Sequence, residues 1–247
     1  MKEKLIIKNI SKEFKIGFKK HQGILGKTIS FISGREPKRK FLALDNISFS
    51  VKPKEIVGII GPNSVGKSTL LRIIGKIYQP SNGKIITNQK IILLLKENIG
   101  LDIRLDMKES IFLSCALLGL KKEQTRKIFK KIVEFSELEK YINTKLYQFS
   151  TGMILRLFFS IIINSLENKG SEILLLDEIF TVSDKKFKEK CIKKIKEIAE
   201  NGSSIILVSH DLKLIEKECT KIIWLDKGKI VKEGGKEIVK EYTKSQI

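Results

Sequence analysis

EIVGIIGPNSVGKSTLLRIIGKI, residues 55–77, turns from an apolar run to a glycine-rich loop and back to an apolar run within a few residues. EIVGII has the length and composition of a buried strand, and LLRIIGKI behind the loop reads as a helix. Between them GPNSVGKST, residues 61–69, fits the pattern GxxxxGK[ST] through Gly61, Gly66, Lys67 and Ser68. Strand, loop and helix in this order form a cradle for phosphate. The loop Gly61, Pro62, Asn63, Ser64, Val65, Gly66, Lys67, Ser68 and Thr69 wraps a β-phosphate with backbone amides. Lys67 reaches the β and γ oxygens, and the Ser68 hydroxyl is a ligand for Mg²⁺. A nucleoside triphosphate is the expected ligand.

Three further stretches belong with this loop. ILLLDE, residues 173–178, is a buried strand ending in two carboxylates, which is costly unless a cation or water receives them. Asp177 is placed to hold Mg²⁺, and Glu178 to polarise a water for attack on the γ-phosphorus. SIILVSH, residues 204–210, ends in one of only two histidines. The carboxyl ends of parallel strands are where ligands collect, so His210 is a candidate donor to the γ-phosphate. QFSTGMILRLFFS, residues 148–160, starts polar and then turns apolar for most of a helix. Ser150 is a good N-cap and Gly152 leaves neighbouring amides unshielded, so this helix start reads as a second phosphate site.

The chain has 247 residues, 48 Lys and Arg against 28 Asp and Glu, and a formal charge of +20. That size suits one domain with an inserted subdomain. The basic excess is spread along the chain and fits solvated surface, an anionic membrane face or nucleic acid without choosing among them. Cys115, Cys191 and Cys219 lie far apart without CxxC spacing, which implies a reduced, cytosolic setting. The charged start MKEKLIIKNISKEF excludes a secretion signal, and no window approaches the ~20 apolar residues of a membrane span.

Along the chain, KLIIKNI, LDNISFSV, EIVGII, KIIT and KIILLL read as strands, with SNG (81–83) as a turn before KIIT. From about residue 98 to 168 the periodicity is helical. Strand and helix then alternate through EILLLDE, KEKCIKKIKEIAEN, SIILVSH, DLKLIEKEC and the hairpin IIWLDKGKIVKEG. Such alternation predicts a parallel sheet covered by helices, with a helical insertion in the middle.

The phosphate loop, the Asp177–Glu178 strand, the small-residue helix start upstream of it and the strand before His210 together resemble the ATP-binding cassette (ABC) family. The resemblance covers nearly the whole of residues 1–247. It implies an α/β P-loop NTPase with a RecA-like parallel core, an N-terminal antiparallel β-subdomain and an inserted α-helical subdomain over 98–168. FSTGM, residues 149–153, stands where the family has an LSGGQ-type motif: Ser150 and Gly152 match, Thr151 and Met153 depart. The family pairs two such subunits head to tail, so Ser150, Thr151, Gly152 and Met153 would contact ATP held by the other copy. TVSD, residues 181–184, resembles the loop that touches the partner's site, with Asp184 as the matching residue. Phe14 stands where the family puts an aromatic ring against adenine. Where transport ATPases carry a glutamine near the metal, this chain has Glu97 beside Lys96 and no glutamine, which leaves that metal contact open.

Residues 17–40, GFKKHQGILGKTISFISGREPKRK, form an additional segment, amphipathic with basic ends, that suits lipid headgroups or a membrane partner. This segment, the STGM variant with Arg156, DEIFTVSDKKFKEKC and VSHDLKLIEKECTKIIWLDKGKIVKEG are similar to the ATPase subunits of polysaccharide exporters. That branch implies two ATPase chains on two integral membrane permease subunits, at the cytoplasmic face of the membrane, moving a lipid-linked glycan of O-antigen, capsule or teichoic acid type. Some members carry an extra carbohydrate-binding domain after the ATPase, which a chain ending at Ile247 is expected to lack. The ATPase of a solute importer is disfavoured by the insertion and the missing glutamine. A soluble cassette acting on nucleic acid is disfavoured because a second cassette, a coiled-coil insert and an aromatic-rich strand face are all missing.

Overall fold

The structure is a computed structural model that describes residues 3–16, 39–95, 101–166, 172–178 and 184–246. Two sheets and seven α-helices lie within them. Strands β1 (Leu5–Ile16), β2 (Arg39–Val51) and β4 (Asn82–Ile86) form an antiparallel sheet in the order β2-β1-β4. Strands β3 (Ile56–Ile60), β5 (Ile91–Leu95), β6 (Ile173–Asp177), β7 (Ser204–Val208), β8 (Lys221–Asp226) and β9 (Lys229–Gly234) form the second sheet. Its order is β5-β6-β7-β3-β8-β9, parallel throughout except for the β8–β9 hairpin. Every residue of β3, β6 and β7 is buried, which is why these strands read as unbroken apolar runs rather than alternating ones.

Alternate residues of the same strands feed two cores. Leu174, Leu176, Ile205 and Leu207 face helices α4 (Thr151–Ser165), α5 (Lys185–Glu200), α6 (Leu212–Glu218) and α7 (Glu237–Ser245). Ile173, Leu175, Ile206 and Val208 face helix α1 (Lys67–Ile74) and the antiparallel sheet, through Leu70, Leu71, Leu5 and Ile47. A third core lies in the helical insertion, where α2 (Met107–Leu117) and α3 (Lys122–Ser136) pack Met107, Ile111, Ile132 and Val133 on Leu157 and Ile161 of α4. Helix α4 therefore serves two cores: Leu157 and Ile161 go to the insertion, Phe159 and Ile162 to the sheet. Its nearly all-round apolar sequence follows from that position.

The joint between insertion and sheet is aromatic. Phe159 lies 6.3 Å from Phe135 of α3 and 6.5 Å from Phe187 of α5, centroid to centroid. Local caps start the helices as their sequences suggest. Asp106 accepts from the Glu109 amide while Glu109 accepts from the Asp106 amide, a reciprocal box at α2. Asp211 accepts from the Leu214 amide at 3.0 Å to start α6, and its other oxygen takes Lys188 Nζ at 2.6 Å. Hydrogen bonding and charge from Lys188 hold the Asp211 carboxyl below the usual range. All three cysteines are buried, and burial pushes their thiols up, that of Cys219 to about 12.

Some boundaries differ from the sequence reading. β1 and β2 are longer than KLIIKNI and LDNISFSV, because their outer halves pair with each other, Phe14 with Phe41 and Lys15 with Lys40. Phe14 thus lies within β1 and not after it. Asn82 and Gly83, read as part of a turn, open β4, with Asn82 paired to Ser11. Helix α7 went unread; its Ile238, Val239 and Tyr242 are buried, and Tyr242 meets Trp224 edge-on at 5.5 Å. Residues 17–38 of the basic segment and Glu97 lie outside the described residues.

Two outcomes are expected. Phe159→Ala, emptying the aromatic joint, lowers unfolding free energy by about 3–5 kcal/mol in denaturant titration, whereas Leu117→Ala at an exposed site changes it by less than about 0.5 kcal/mol. Asp211 has a depressed folded-state pKa, so its contribution is present above the unfolded pKa and is lost as pH falls through the folded value. The gap in thermal midpoint between the unaltered chain and Asp211→Asn is therefore full near neutrality and closes below about pH 4.

Candidate active site

The phosphate loop leaves the end of β3 under tight steric limits. Gly61 has φ +147°, and a Cβ there would stand 2.0 Å from the Leu225 carbonyl oxygen of β8. Gly66 has φ +104°, and a Cβ would stand 2.7 Å from the carbonyl of Ala43 in β2. Only glycine fits either place. Val65 is buried and anchors the loop from below, while Asn63 and Ser64 form its exposed rim. Gly66 is also the N-cap of α1, so the loop opens directly into the positive end of a helix. Lys67 is buried and donates from Nζ to the carbonyls of Gly61 (2.8 Å) and Pro62 (2.6 Å), which bends the loop into a ring around its ammonium. Burial lowers the Lys67 pKa, and the charges of Glu178 and Asp177 oppose that shift, so both carboxylates act on this lysine.

Sheet register explains that proximity. Ile59 of β3 lies opposite Val208 of β7, and Val208 lies opposite Asp177 of β6. The loop and the carboxylates thus emerge at one level, two strand spacings or about 10 Å apart at the backbone. Asp177 ends β6 buried. Glu178 follows with φ +51°, a left-handed conformation that a non-glycine residue adopts at a cost of about 1–3 kcal/mol. Two contacts hold it: its amide donates to the Val208 carbonyl at 3.1 Å, and Oε1 lies 2.7 Å from His210 Nε2. Asp177 is thus buried at the strand end, while the Glu178 side chain reaches His210.

The Ser150 helix start is as the sequence suggests. Ser150 is the N-cap of α4, its Oγ accepting from the Met153 amide at 3.2 Å. Ser150 and Thr151 are exposed, with Gly152 and Met153 half-buried, so the first turn opens outward. Asp184 is occupied within its own chain: Oδ1 accepts from the Phe187 amide at 2.9 Å as the N-cap of α5, and Oδ2 pairs with Arg156 of α4. Residues 181–183, the rest of that loop, lie outside the described residues.

Phe14 is half-buried on the antiparallel sheet, with Tyr78 edge-on at 5.8 Å and 79°. The Lys12 ammonium lies 5.1 Å from the Phe14 centroid and 5.8 Å from that of Tyr78, and donates to the Gln79 carbonyl at 2.6 Å. Tyr78 is a residue the sequence reading passed over, and Arg156 entered it only as part of the STGM variant. Tyr78 lies next to the stretch quoted first, and Arg156 is the one cation inside QFSTGMILRLFFS; both carried a signal only as polar groups in apolar surroundings.

The donor set suits a hard cation shared with phosphate. Ser68 and Asp177 offer a hydroxyl and a carboxylate, and among the described residues no cluster of three or more His, Cys, Asp or Glu forms a cage of protein ligands. Mg²⁺ takes one or two such oxygens and fills its shell with water and phosphate.

Comparison with known proteins agrees with this geometry. The family described as ABC transporter matches residues 44–181. The chain is 34% identical over 209 residues to the O-antigen export system ATP-binding protein RfbB of Klebsiella pneumoniae, covering 85% of this chain and 83% of that protein. It is 33% identical over 240 residues to the teichoic acids export ATP-binding protein TagH of Listeria innocua, covering 97% of this chain and 69% of that one. Among solved structures, the dimeric ATP-binding cassette MJ0796 in a post-hydrolysis state bound to ADP and Pi has a TM-score of 0.75 at 24% identity, over 94% of this chain and 98% of that chain. That likeness concerns the fold, which is the α/β P-loop NTPase fold with antiparallel and helical subdomains. A match running from β2 past the carboxylate strand, with relatives aligned over most of their own lengths, establishes that the chain belongs to the ABC transporter family, as an ATP-binding cassette ATPase.

Proposed function

We propose that this chain is the ATP-hydrolysing subunit of a transporter that exports a lipid-linked polysaccharide of O-antigen, capsule or teichoic acid type. The observation that carries this reading is its 34% and 33% identity to export ATP-binding proteins for O-antigen and teichoic acids, across 85% and 97% of the chain. Two copies associate head to tail, with integral membrane permease subunits as partners, peripheral on the cytoplasmic face. Among the described residues no helix is long and apolar enough to cross a membrane. Ile103, Leu113, Leu117 and Tyr147 of the helical subdomain are exposed at 54, 44, 74 and 64%, apolar side chains that support docking of such a partner.

In the site, the loop 61–69 cradles the phosphates of ATP, with Lys67 on the β and γ oxygens. Ser68 and Asp177 hold Mg²⁺, with Glu97 as a further candidate outside the described residues. Bound there, the ion offsets phosphate charge. Glu178 polarises the attacking water, and His210, 2.7 Å from Glu178, keeps that carboxylate turned toward the γ-phosphate and donates to it. Phe14 stacks on adenine, its ring held edge-on by Tyr78. Ser150, Thr151, Gly152 and Met153, with Asp184 behind them, meet the triphosphate of the other copy. Since that helix start needs a phosphate from elsewhere, nucleotide binding and dimer closure become one equilibrium.

Light scattering and single-turnover assays test the pairing. Glu178→Gln keeps ATP binding, lowers hydrolysis by about 10²–10⁴-fold and traps a dimer; a monomer at saturating ATP contradicts the reading. Ser150→Arg lowers hydrolysis with little change in the nucleotide affinity of the isolated chain, and an equal loss of affinity contradicts it. Tyr78→Ala weakens ATP binding by about 3- to 10-fold, the value of one aromatic pair, and leaves the binding of inorganic tripolyphosphate, which lacks adenine, unchanged. For the substrate, the chain is co-purified with its membrane subunit and each lipid-linked glycan class is asked to raise ATP turnover. Stimulation by a small solute or by nucleic acid in its place would overturn the export reading.

A further inference from the structure

Lys12 ties β1 to the turn that follows α1, the helix that opens at the phosphate loop. Its ammonium stands near two rings from these two places, 5.1 Å from the Phe14 centroid and 5.8 Å from that of Tyr78, and donates to the Gln79 carbonyl at 2.6 Å. Three further bonds hold the same turn. The Ser81 amide donates to the Ser11 carbonyl at 2.8 Å, the Glu13 amide to Ser81 Oγ at 2.9 Å, and the Tyr78 amide to the Arg72 carbonyl of α1 at 3.1 Å. Lys12, Phe14 and Tyr78 are all half-buried, so the ammonium is partly stripped of water where it meets the rings. Glu13, the carboxylate beside it on β1, is taken by Lys40 at 3.1 Å.

The other end of α1 meets the same sheet. Between the pairs Lys12–Leu44 and Glu13–Leu42, β2 carries one residue more, Ala43, a bulge across from Lys12 and Glu13. It is the Ala43 carbonyl that leaves no room for a Cβ at Gly66, the N-cap of α1. The antiparallel sheet therefore touches α1 twice, at its phosphate-binding start through the bulge and beyond its end through Lys12. Phe14 is carried by the strand that these two contacts fix. An edge-on aromatic pair by itself tolerates sliding, whereas an ammonium shared by both rings and fastened to a backbone carbonyl resists it. We infer that Lys12 is a positioning residue for the nucleobase: it fixes Phe14 and Tyr78 as one platform set against the phosphate loop. Base and phosphates of one nucleotide are then met at a spacing established in folding. This rests on the reading that Phe14 stacks on adenine.

Equilibrium binding of ADP and of inorganic pyrophosphate to the full chain, both with Mg²⁺, tests it, since neither ligand involves hydrolysis or a second copy. Lys12→Met keeps an apolar stem and removes the charge. It is expected to weaken ADP binding by about 3- to 10-fold and to leave the affinity for pyrophosphate, which has no base to place, within about twofold. Lys12→Arg restores a cation able to lie over rings and is expected to return ADP affinity to within about twofold of the unaltered chain. Lys12→Met combined with Tyr78→Ala is expected to lose less than the product of the two single losses, because Lys12 acts through the ring pair. Unchanged ADP affinity in Lys12→Met, an equal loss for pyrophosphate, an Arg variant as weak as the Met one, or losses that multiply would each overturn the inference. Phe14→Ala separates it from the reading beneath. ADP affinity unaltered there removes the adenine reading and this inference with it, whereas affinity lost there but kept in Lys12→Met removes this inference alone.

Discussion

The parallel pairing of β6, β7 and β3 is the constraint from which the site follows. Three fully buried strands in this order bring Asp177, Val208 and Ile59 into one row, and whatever leaves their carboxyl ends must meet. The phosphate loop, the Asp177–Glu178 step and the His210 turn are those exits. None of them needs long-range guidance beyond the register. A slip of one residue in β6 would turn Asp177 to the opposite face and carry Leu176 into its place.

Upon that row the chain imposes local strain where chemistry is wanted. Gly61 and Gly66 are held against the carbonyls of Leu225 and Ala43, so β8 and β2 both support the loop from outside. Glu178 is held left-handed by a backbone bond to Val208 and by His210. Lys67 is ringed by its own loop. These are fixed before any ligand arrives, so the energy of ordering them has been spent in folding rather than in binding. Helix α4 adds the contrasting feature, an exposed polar start on a body buried in two cores.

The sheet was legible because its strands are buried on both faces and therefore read as short apolar runs ending in polar residues. The phosphate loop, Asp177, Glu178 and His210 were legible for the same reason, each being a polar exit from an apolar segment, and the Ser150 cap was legible as a polar entry into one. What escaped were features made by pairing across distance. The outer halves of β1 and β2 carry lysines and a glutamate, and only their mutual register makes them strand. Tyr78 becomes notable through Phe14, sixty-four residues away, and Arg156 through Glu137 and Asp184. Helix α7 is amphipathic but short and charged, and its burial on Trp224 is a tertiary fact. Single-chain patterns record exits and runs; they do not record who meets whom.

The sealing of the three cysteines in apolar surroundings has a practical side. Alkylating dyes attack thiolates, and here burial both suppresses ionisation and blocks access. The native chain therefore behaves toward such reagents as though it were thiol-free. A single cysteine introduced at an exposed position of the insertion, for example Tyr147→Cys at a site 64% exposed, would carry a fluorophore or spin label without prior removal of any natural sulfur.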